Sequence, residues 1–374
     1  MPTSPGKNIA FYGSSLLSAY WNGAATYYRG IIRALNARGH HVTFYEPDIF
    51  DRSSHRDIEM PDWADVVVYK LETESDADAA LALGSEADVV VKASGVGAFD
   101  DYLEEGLLRH HKDRGATVIF WDVDAPATLD RLSNHPDDPF HNLIPQYDLI
   151  LTYGGGDKVV NSYLDHGAQA CIPIYNALDP ETHYPVEADP QFSADLAFLG
   201  NRLPDRESRV EHFFLEVAAR APEKKFLLGG SGWSDKGVPP NVNYFGHVFT
   251  HQHNAFNCTP TAVLNISRDS MASYGFSPAT RVFEAAGAGA CIITDYWIGI
   301  DAFLEPGREI LVAKSADEVL QHIRELTPER ARQIGEAARS RVLAEHTYAH
   351  RAELVEQLLN STITTASHLE SGVI

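Results

Sequence analysis

The chain has 374 residues, 44% of them hydrophobic and 22% charged, which is the balance of a globular protein large enough for two cores. A formal net charge of -22 with no basic stripe argues against a nucleic-acid partner. No apolar run approaches the roughly 18 residues of a bilayer span, and the opening MPTSPGKNIAFYG lacks a signal peptide's apolar core, so a cytoplasmic protein with no transmembrane segment is expected.

Lys7–Tyr12 reads as a strand and Gly13-Ser14-Ser15 as the turn after it. Trp21-Asn22-Gly23 then leads into a helix over Thr26–Arg38 that stops at Gly39, and Val42–Tyr45 is the next strand. This is a βαβ unit whose crossover should be right-handed. Its loop matches neither the dinucleotide-binding glycine pattern nor the P-loop. Further strands are predicted at Val66–Tyr69, Val89–Lys92, Thr117–Trp121 and Leu149–Thr152, giving a doubly wound parallel sheet. Ligands then belong at the carboxyl ends of the strands. The loops there are Lys92-Ala93-Ser94-Gly95-Val96-Gly97, Asp122-Val123-Asp124-Ala125-Pro126 and Tyr153-Gly154-Gly155-Gly156-Asp157. Asp124, with Asp122 second, is positioned to deprotonate or orient a hydroxyl. The competing role for Asp124 is capping the helix that starts at Pro126. The histidines His135 and His141 fall in an Asp- and Pro-rich loop with no partner evident.

Cys171–Tyr175 is a strand, and the polar segment Thr182–Phe192 places a domain boundary near Ala188. The expected division is 1–188, 189–345, and a returning helix with a polar tail over 346–374. Asp195–Leu199 opens a second sheet and is followed by Gly200-Asn201-Arg202 and a helix over Arg206–Ala219. Arg202 and Arg206 flank a helix start that already favours an anion, and guanidinium groups match phosphate oxygens bidentately. Against this stands pairing with the adjacent Asp205 and Glu207. Lys225–Leu228 and Ala262–Ile266 are strands, with the segment Asn243–Val248 between them. Ser277 and Pro278 read as the N-cap and first residue of a helix whose small apolar face is Val282, Ala285, Ala286 and Gly289. Ala290–Thr294 is a buried strand and Glu309–Val312 another. Helices follow at Ala316–Leu326, Pro328–Glu345 and Ala349–Leu359, with a polar, disordered tail expected from Ser361. The three cysteines Cys171, Cys258 and Cys291 read as reduced thiols. No Cys/His spacing resembles a zinc site, and no metal is expected.

The run Arg281-Val282-Phe283-Glu284-Ala285-Ala286-Gly287-Ala288-Gly289-Ala290 resembles the nucleotide-sugar signature of the CgeB-like spore-maturation glycosyltransferases, relatives of glycosyltransferase family 4. The resemblance implies a GT-B architecture of two Rossmann-like doubly wound domains facing a cleft. It implies a metal-independent transfer of sugar from a nucleotide-sugar donor, UDP-sugar favoured, with no further cofactor. Glu284 then binds the donor's ribose, where the bland alternative is an ion pair with Arg281 worth a few tenths of a kcal/mol. Arg202 and Arg206 would grip the diphosphate beside Gly200 and Asn201. His247 and Val248 would contact the base, and Tyr274, Gly275, Ser277 and Arg281 would complete the donor site. In the first domain, Asn22, Gly23 and Gly95 would face the cleft, where Asp124 acts on the acceptor.

Family 4 enzymes carry a second glutamate in a Glu-x7-Glu pattern. The matching position here is Phe276, or Tyr274 if the Gly-Phe pair is aligned, so the donor sugar and the retaining course suggested by kinship stay open. The acceptor (glycan, lipid-linked, protein or small molecule) is also open. Two other classes fit the same chain: a sugar-nucleotide epimerase, which needs no acceptor, and a non-catalytic nucleotide-sugar-binding protein.

Overall fold

A computed structural model describes residues 6–19 and 22–370. Trp21 and the last residues of the expected tail lie outside them. The chain forms two compact units: Met1–Tyr175 with Tyr348–Ile374, and Asn176–Thr347. The crossover therefore falls at Tyr175, ahead of the Ala188 position expected from the polar segment.

The first unit is built on seven strands: β1 (Asn8–Tyr12), β2 (His41–Pro47), β3 (Asp65–Tyr69), β4 (Val89–Ala93), β5 (Thr117–Asp122), β6 (Leu149–Thr152) and β7 (Cys171–Pro173). They are all parallel, in the order β3-β2-β1-β4-β5-β6-β7. β4 and β5 are buried at every position, as runs such as VVVKA and TVIFWD require when helices cover both faces. The core is aromatic. Phe11 stacks on Phe44 with centroids 5.4 Å apart, and Trp121 Nε1 donates to the Tyr27 hydroxyl at 3.0 Å. Tyr27 in turn donates to the Ile174 carbonyl at 2.6 Å. The helix Ala25–Ala37 receives the C-terminal helix Tyr348–Glu370 at Gly30, where a Cβ would run into the Tyr348 ring. The return of the last helix to the first unit was expected, but it runs on to Glu370 rather than ending at Leu359.

The second unit has six strands: β8 (Leu196–Leu199), β9 (Phe226–Gly229), β10 (Val242–Gly246), β11 (Ala262–Asn265), β12 (Ile292–Asp295) and β13 (Leu311–Ala313). They too are parallel, in the order β10-β9-β8-β11-β12-β13. Both sheets therefore carry the nucleotide-binding strand order, reversing between β1 and β4 and between β8 and β11. The core of the second sheet is formed by Leu196, Phe198, Phe214, Leu228, Leu264 and Ile293 with the helices over them.

Two local expectations are corrected. The helix predicted from Ser277 begins at Thr280, with Ala279 as its N-cap. Ser277 Oγ is spent on the Gly275 carbonyl at 2.9 Å, and the Pro278 carbonyl accepts from Asn176 Nδ2 at 3.1 Å. These tethers hold the segment extended. The helix after β8 contains a π-turn over Glu211–Leu215 inside Pro204–Arg220, which periodicity alone does not show.

Candidate functional site

The strand order directs attention to the loops after β8 and β11 in the second unit. Gly200 follows β8 directly, and a Cβ there would lie 2.8 Å from Arg206 Nη2 and 2.9 Å from Phe198 Cζ. Glycine at this position lets Arg206 fold back over the strand end. Arg206 donates to the Asn201 carbonyl at 2.5 Å and lies over the Phe198 ring at 5.7 Å. Its Nε is buried with no hydrogen-bond partner among the described residues. Burial, and next the charge of Arg281, push its pKa down to about 10. Arg268 adds to this repulsion, offset in part by Asp205 and Asp295.

Arg281 sits in the first turn of the helix Thr280–Gly287, whose N-terminus has no side-chain cap. Burial lowers its pKa, with Glu284 opposing. Two half-buried arginines whose charges repel, beside an uncapped helix N-terminus, make a local environment that favours an anion. The loop just ahead is strained: Gly275 has φ +77 and Phe276 has φ +43. A Cβ on Gly275 would come within 2.9 Å of Ile298, and the Phe276 amide donates to the Ile298 carbonyl at 2.6 Å. Such strain is kept where the surroundings over-determine it, often at ligand loops. Tyr274 closes the short helix Asp269–Tyr274 and is part-buried.

Glu284 is 8% exposed and receives no hydrogen bond from any described residue. Burial works to raise its pKa, but His183, Arg281 and His253 outweigh it and hold the carboxyl below its ordinary value. His183 Nε2 is 3.9 Å from Glu284 Oε1. That approach depends on Gly287, where a Cβ would meet Leu178 and, at 3.0 Å, the His183 carbonyl. His253, in the helix His253–Cys258, faces the same carboxylate, and burial brings its pKa down to about 4. Its Nε2 lies 3.3 Å from the Val248 carbonyl.

The remaining donor candidates separate into groups. Arg202 is paired with Glu207 at 2.7 Å and with Asp235 at 3.0 Å, so its guanidinium is already committed to two carboxylates. The hydrogen bond it donates to Glu207 leads the causes that raise its pKa. Asn201 Oδ1 accepts from the Ser231 amide at 2.9 Å, and Trp233 Nε1 donates to the Gly200 carbonyl at 2.8 Å, fixing the loop. Val248 is buried with its side chain against Gly229, while His247 is exposed and packs edge-on to Phe249 at 4.7 Å. The sequence reading missed Arg268, His183 and His253. Arg268 follows β11 at the strand-order reversal, and that position was its only signal.

In the first unit, Asp122 is fully buried at the end of β5. Its Oδ1 accepts from Ser94 Oγ at 2.7 Å and from the Asp124 amide at 3.0 Å, and its Oδ2 from Tyr163 at 2.5 Å. Burial raises its pKa. This geometry joins the ends of β4 and β5 and fixes the backbone at Asp124. Asp124 is part-buried at the N-cap of the helix Ala125–Asn134, and its side chain makes no capping hydrogen bond.

Asn22 is buried and staples its own loop. It accepts from Ser14 Oγ at 3.0 Å and donates to the Ser15 and Ser18 carbonyls at 2.9 and 3.2 Å. Gly23 and Gly95 are exposed, and added Cβ atoms there would meet nothing within 4 Å. The Gly95 loop is clamped by Asp100, which accepts from Lys92 Nζ at 2.7 Å and from the Val96 and Gly97 amides. Buried Arg52 joins the β1 and β4 loops through the Ser14 and Val96 carbonyls at 2.8 and 3.3 Å.

Two parallel Rossmann-like sheets with this strand order define a GT-B fold. Residues 206–357 match the family model described as "Glycosyl transferase-like", a stretch that begins at Arg206 and takes in Arg281 and Glu284. Among solved structures, the fold is similar to Anabaena HepE in complex with UDP and glucose, with a TM-score of 0.67 at 12% identity over 95% of this chain and 100% of that one. It is similar to sucrose-phosphate synthase from Thermosynechococcus elongatus, TM-score 0.67 at 15% identity over 96% and 100%. An alpha-glucosyltransferase in complex with UDP-glucose and DNA containing an abasic site gives 0.69 at 12% identity over 95% and 100%. No curated protein matches the sequence. None of the described helices is long and apolar enough to cross a membrane.

Proposed function

We propose that the protein is a glycosyltransferase that takes its sugar from a nucleotide-sugar donor, UDP-sugar favoured, held by the second unit. The observation that carries this reading is the convergence of Arg206 and Arg281 at an uncapped helix N-terminus beside Glu284, a buried carboxylate held ionised with no internal donor. A nucleoside diphosphate supplies what each lacks: an anion for the guanidinium groups and a vicinal diol to donate to the carboxylate. The leaving diphosphate is stabilised by these cations as charge develops on it. Arg268, whose Nε donates to Asp205 at 2.5 Å, adds positive charge nearby, and Arg202, paired with Glu207 and Asp235, holds the loop rather than the ligand. In the first unit, Asp124 is the group that accepts the acceptor's proton, and Asp122 aims it. The overall acidity favours a small-molecule, glycan, lipid-linked or protein acceptor over nucleic acid. A cytoplasmic location, a subfamily kinship with the CgeB-like enzymes and a hexosyl donor belong to the same proposal.

The test is a thermal-shift and calorimetric screen over UDP, GDP, dTDP and their sugars, followed by UDP-release assays with an acceptor panel. UDP-sugars should raise the unfolding temperature, and Arg281→Ala should abolish the rise. Acceptor-dependent UDP release completes the assignment, and conversion of the donor to an epimer without acceptor would replace it with the epimerase reading. No shift with any nucleotide overturns both.

A further inference from the structure

Around Glu284 the second unit gathers two histidines that nucleotide binding does not explain. His183, His253 and Glu284 each offer one ligand atom, and these atoms all lie within 4.8 Å of one another. His183 comes from the segment after the crossover, His253 from the helix His253–Cys258, and Glu284 from the helix Thr280–Gly287. Three separate pieces of chain thus deliver two imidazoles and a carboxylate to one partly buried point.

The outer contacts of the histidines matter as much. His183 Nδ1 is 2.9 Å from Thr182 Oγ1, which leaves Nε2, the nitrogen 3.9 Å from Glu284 Oε1, for another partner. His253 Nε2 is 3.3 Å from the Val248 carbonyl, an acceptor, so that nitrogen carries the proton and Nδ1 the lone pair. Each ring is oriented by its other nitrogen, as metal-ligating histidines are.

From this geometry we propose a mononuclear site for a divalent transition metal, of the zinc class, formed by His183, His253 and Glu284. Metal–nitrogen and metal–oxygen bonds of about 2.0–2.2 Å at tetrahedral angles place ligand atoms about 3.3 Å apart. The trio draws in by roughly an ångström to meet that spacing, within the reach of side-chain rotation. Two nitrogens and one oxygen suit zinc and its neighbours rather than magnesium, which prefers an all-oxygen shell. Three protein ligands leave a fourth position for water or another donor atom. The metal and the donor ribose draw on one carboxylate, so the metal-bound protein binds UDP-sugar more weakly. This last point rests on the donor reading; the metal site itself does not.

The experiment is a zinc titration of chelator-treated full-length protein against a chromophoric competitor. Wild type is compared with His183→Ala, His253→Ala and Glu284→Gln, with magnesium as the control cation. One tight zinc equivalent is expected in wild type, weakened more than about tenfold in each variant, the loss that even an outer-shell change can bring. Zinc affinity unchanged in both histidine variants overturns the site. Zinc-edge absorption spectroscopy on wild type reads the ligands whether or not the variants fold. Two imidazoles with light-atom ligands support the proposal, and sulfur or a shell without imidazole refutes it. UDP titrated in the presence of chelator tests the donor reading by itself, and added zinc should then raise the apparent Kd for UDP.

Discussion

Arg206→Met separates stability from function. Arginine stays protonated at neutral pH, so a pKa held at about 10 instead of its ordinary 12.5 records a charge that the fold disfavours. At 1.36 kcal/mol per unit, the penalty is on the order of 3 kcal/mol before solvent screening. Methionine keeps the apolar contact with Phe198 and removes the charge. It forfeits the hydrogen bond to the Asn201 carbonyl and the cation–ring contact, together about 1–2 kcal/mol. The balance is a variant more stable by roughly 1 kcal/mol, where an average substitution loses about that much. Calorimetric unfolding should show a rise of about 2–4 °C. UDP at about 100 times its Kd should stabilise wild type by about 2.7 kcal/mol and leave the variant nearly unchanged. A variant that melts earlier and keeps its UDP shift would refute the claim that this arginine is held for an anion.

Asp124→Asn should lower transfer by roughly 10²–10⁴-fold with UDP binding retained, read by UDP release and calorimetry; equal turnover removes Asp124 from the chemistry. Asp122→Asn cannot accept all three hydrogen bonds from Ser94, Tyr163 and the Asp124 amide, and should cost about 2–3 kcal/mol in denaturant unfolding. Gly30→Ala pushes a methyl into the Tyr348 ring and should destabilise the first unit by about 1–3 kcal/mol, seen as early proteolysis of the C-terminal helix. Glu104 is buried, which lifts its pKa from 4.5 to about 7, with Lys92 and Arg131 opposing. Below about pH 4.5 the folded and unfolded chains both hold this proton. Between there and about pH 7 only the folded chain does, so stability falls as pH rises through that window, by up to about 3 kcal/mol. Glu104→Gln should flatten that part of the stability–pH curve.

Most strands were legible because a parallel sheet covered on both faces demands short continuous apolar runs such as Val89–Val91 and Ile292–Ile293. The edge strand β10 was not, since VNYFG is only partly buried along most of its length and ends in a glycine of φ +85. The false helix start at Ser277 shows the limit of local rules. Ser-Pro is a good N-terminus in isolation, yet tethers from Gly275 and Asn176, distant in sequence or strained in backbone, hold it extended. Arg206, Arg281 and Glu284 could be singled out from motif and helix position, and the structure gathers charge around them. The pairing of Arg202 with Glu207 was the alternative the sequence offered, but its second partner was not legible, because Asp235 reaches it from the loop after β9. His183 and His253 carry no pattern that links them to Glu284. Only the close approach at Gly287 and the helix packing bring them there.

The most direct test of the donor site is a crystal structure of the protein soaked with UDP. The diphosphate should lie within hydrogen-bond distance of both Arg206 and Arg281 at the start of the helix Thr280–Gly287, with the ribose hydroxyls on Glu284. A well-occupied nucleotide bound away from these three side chains would contradict it.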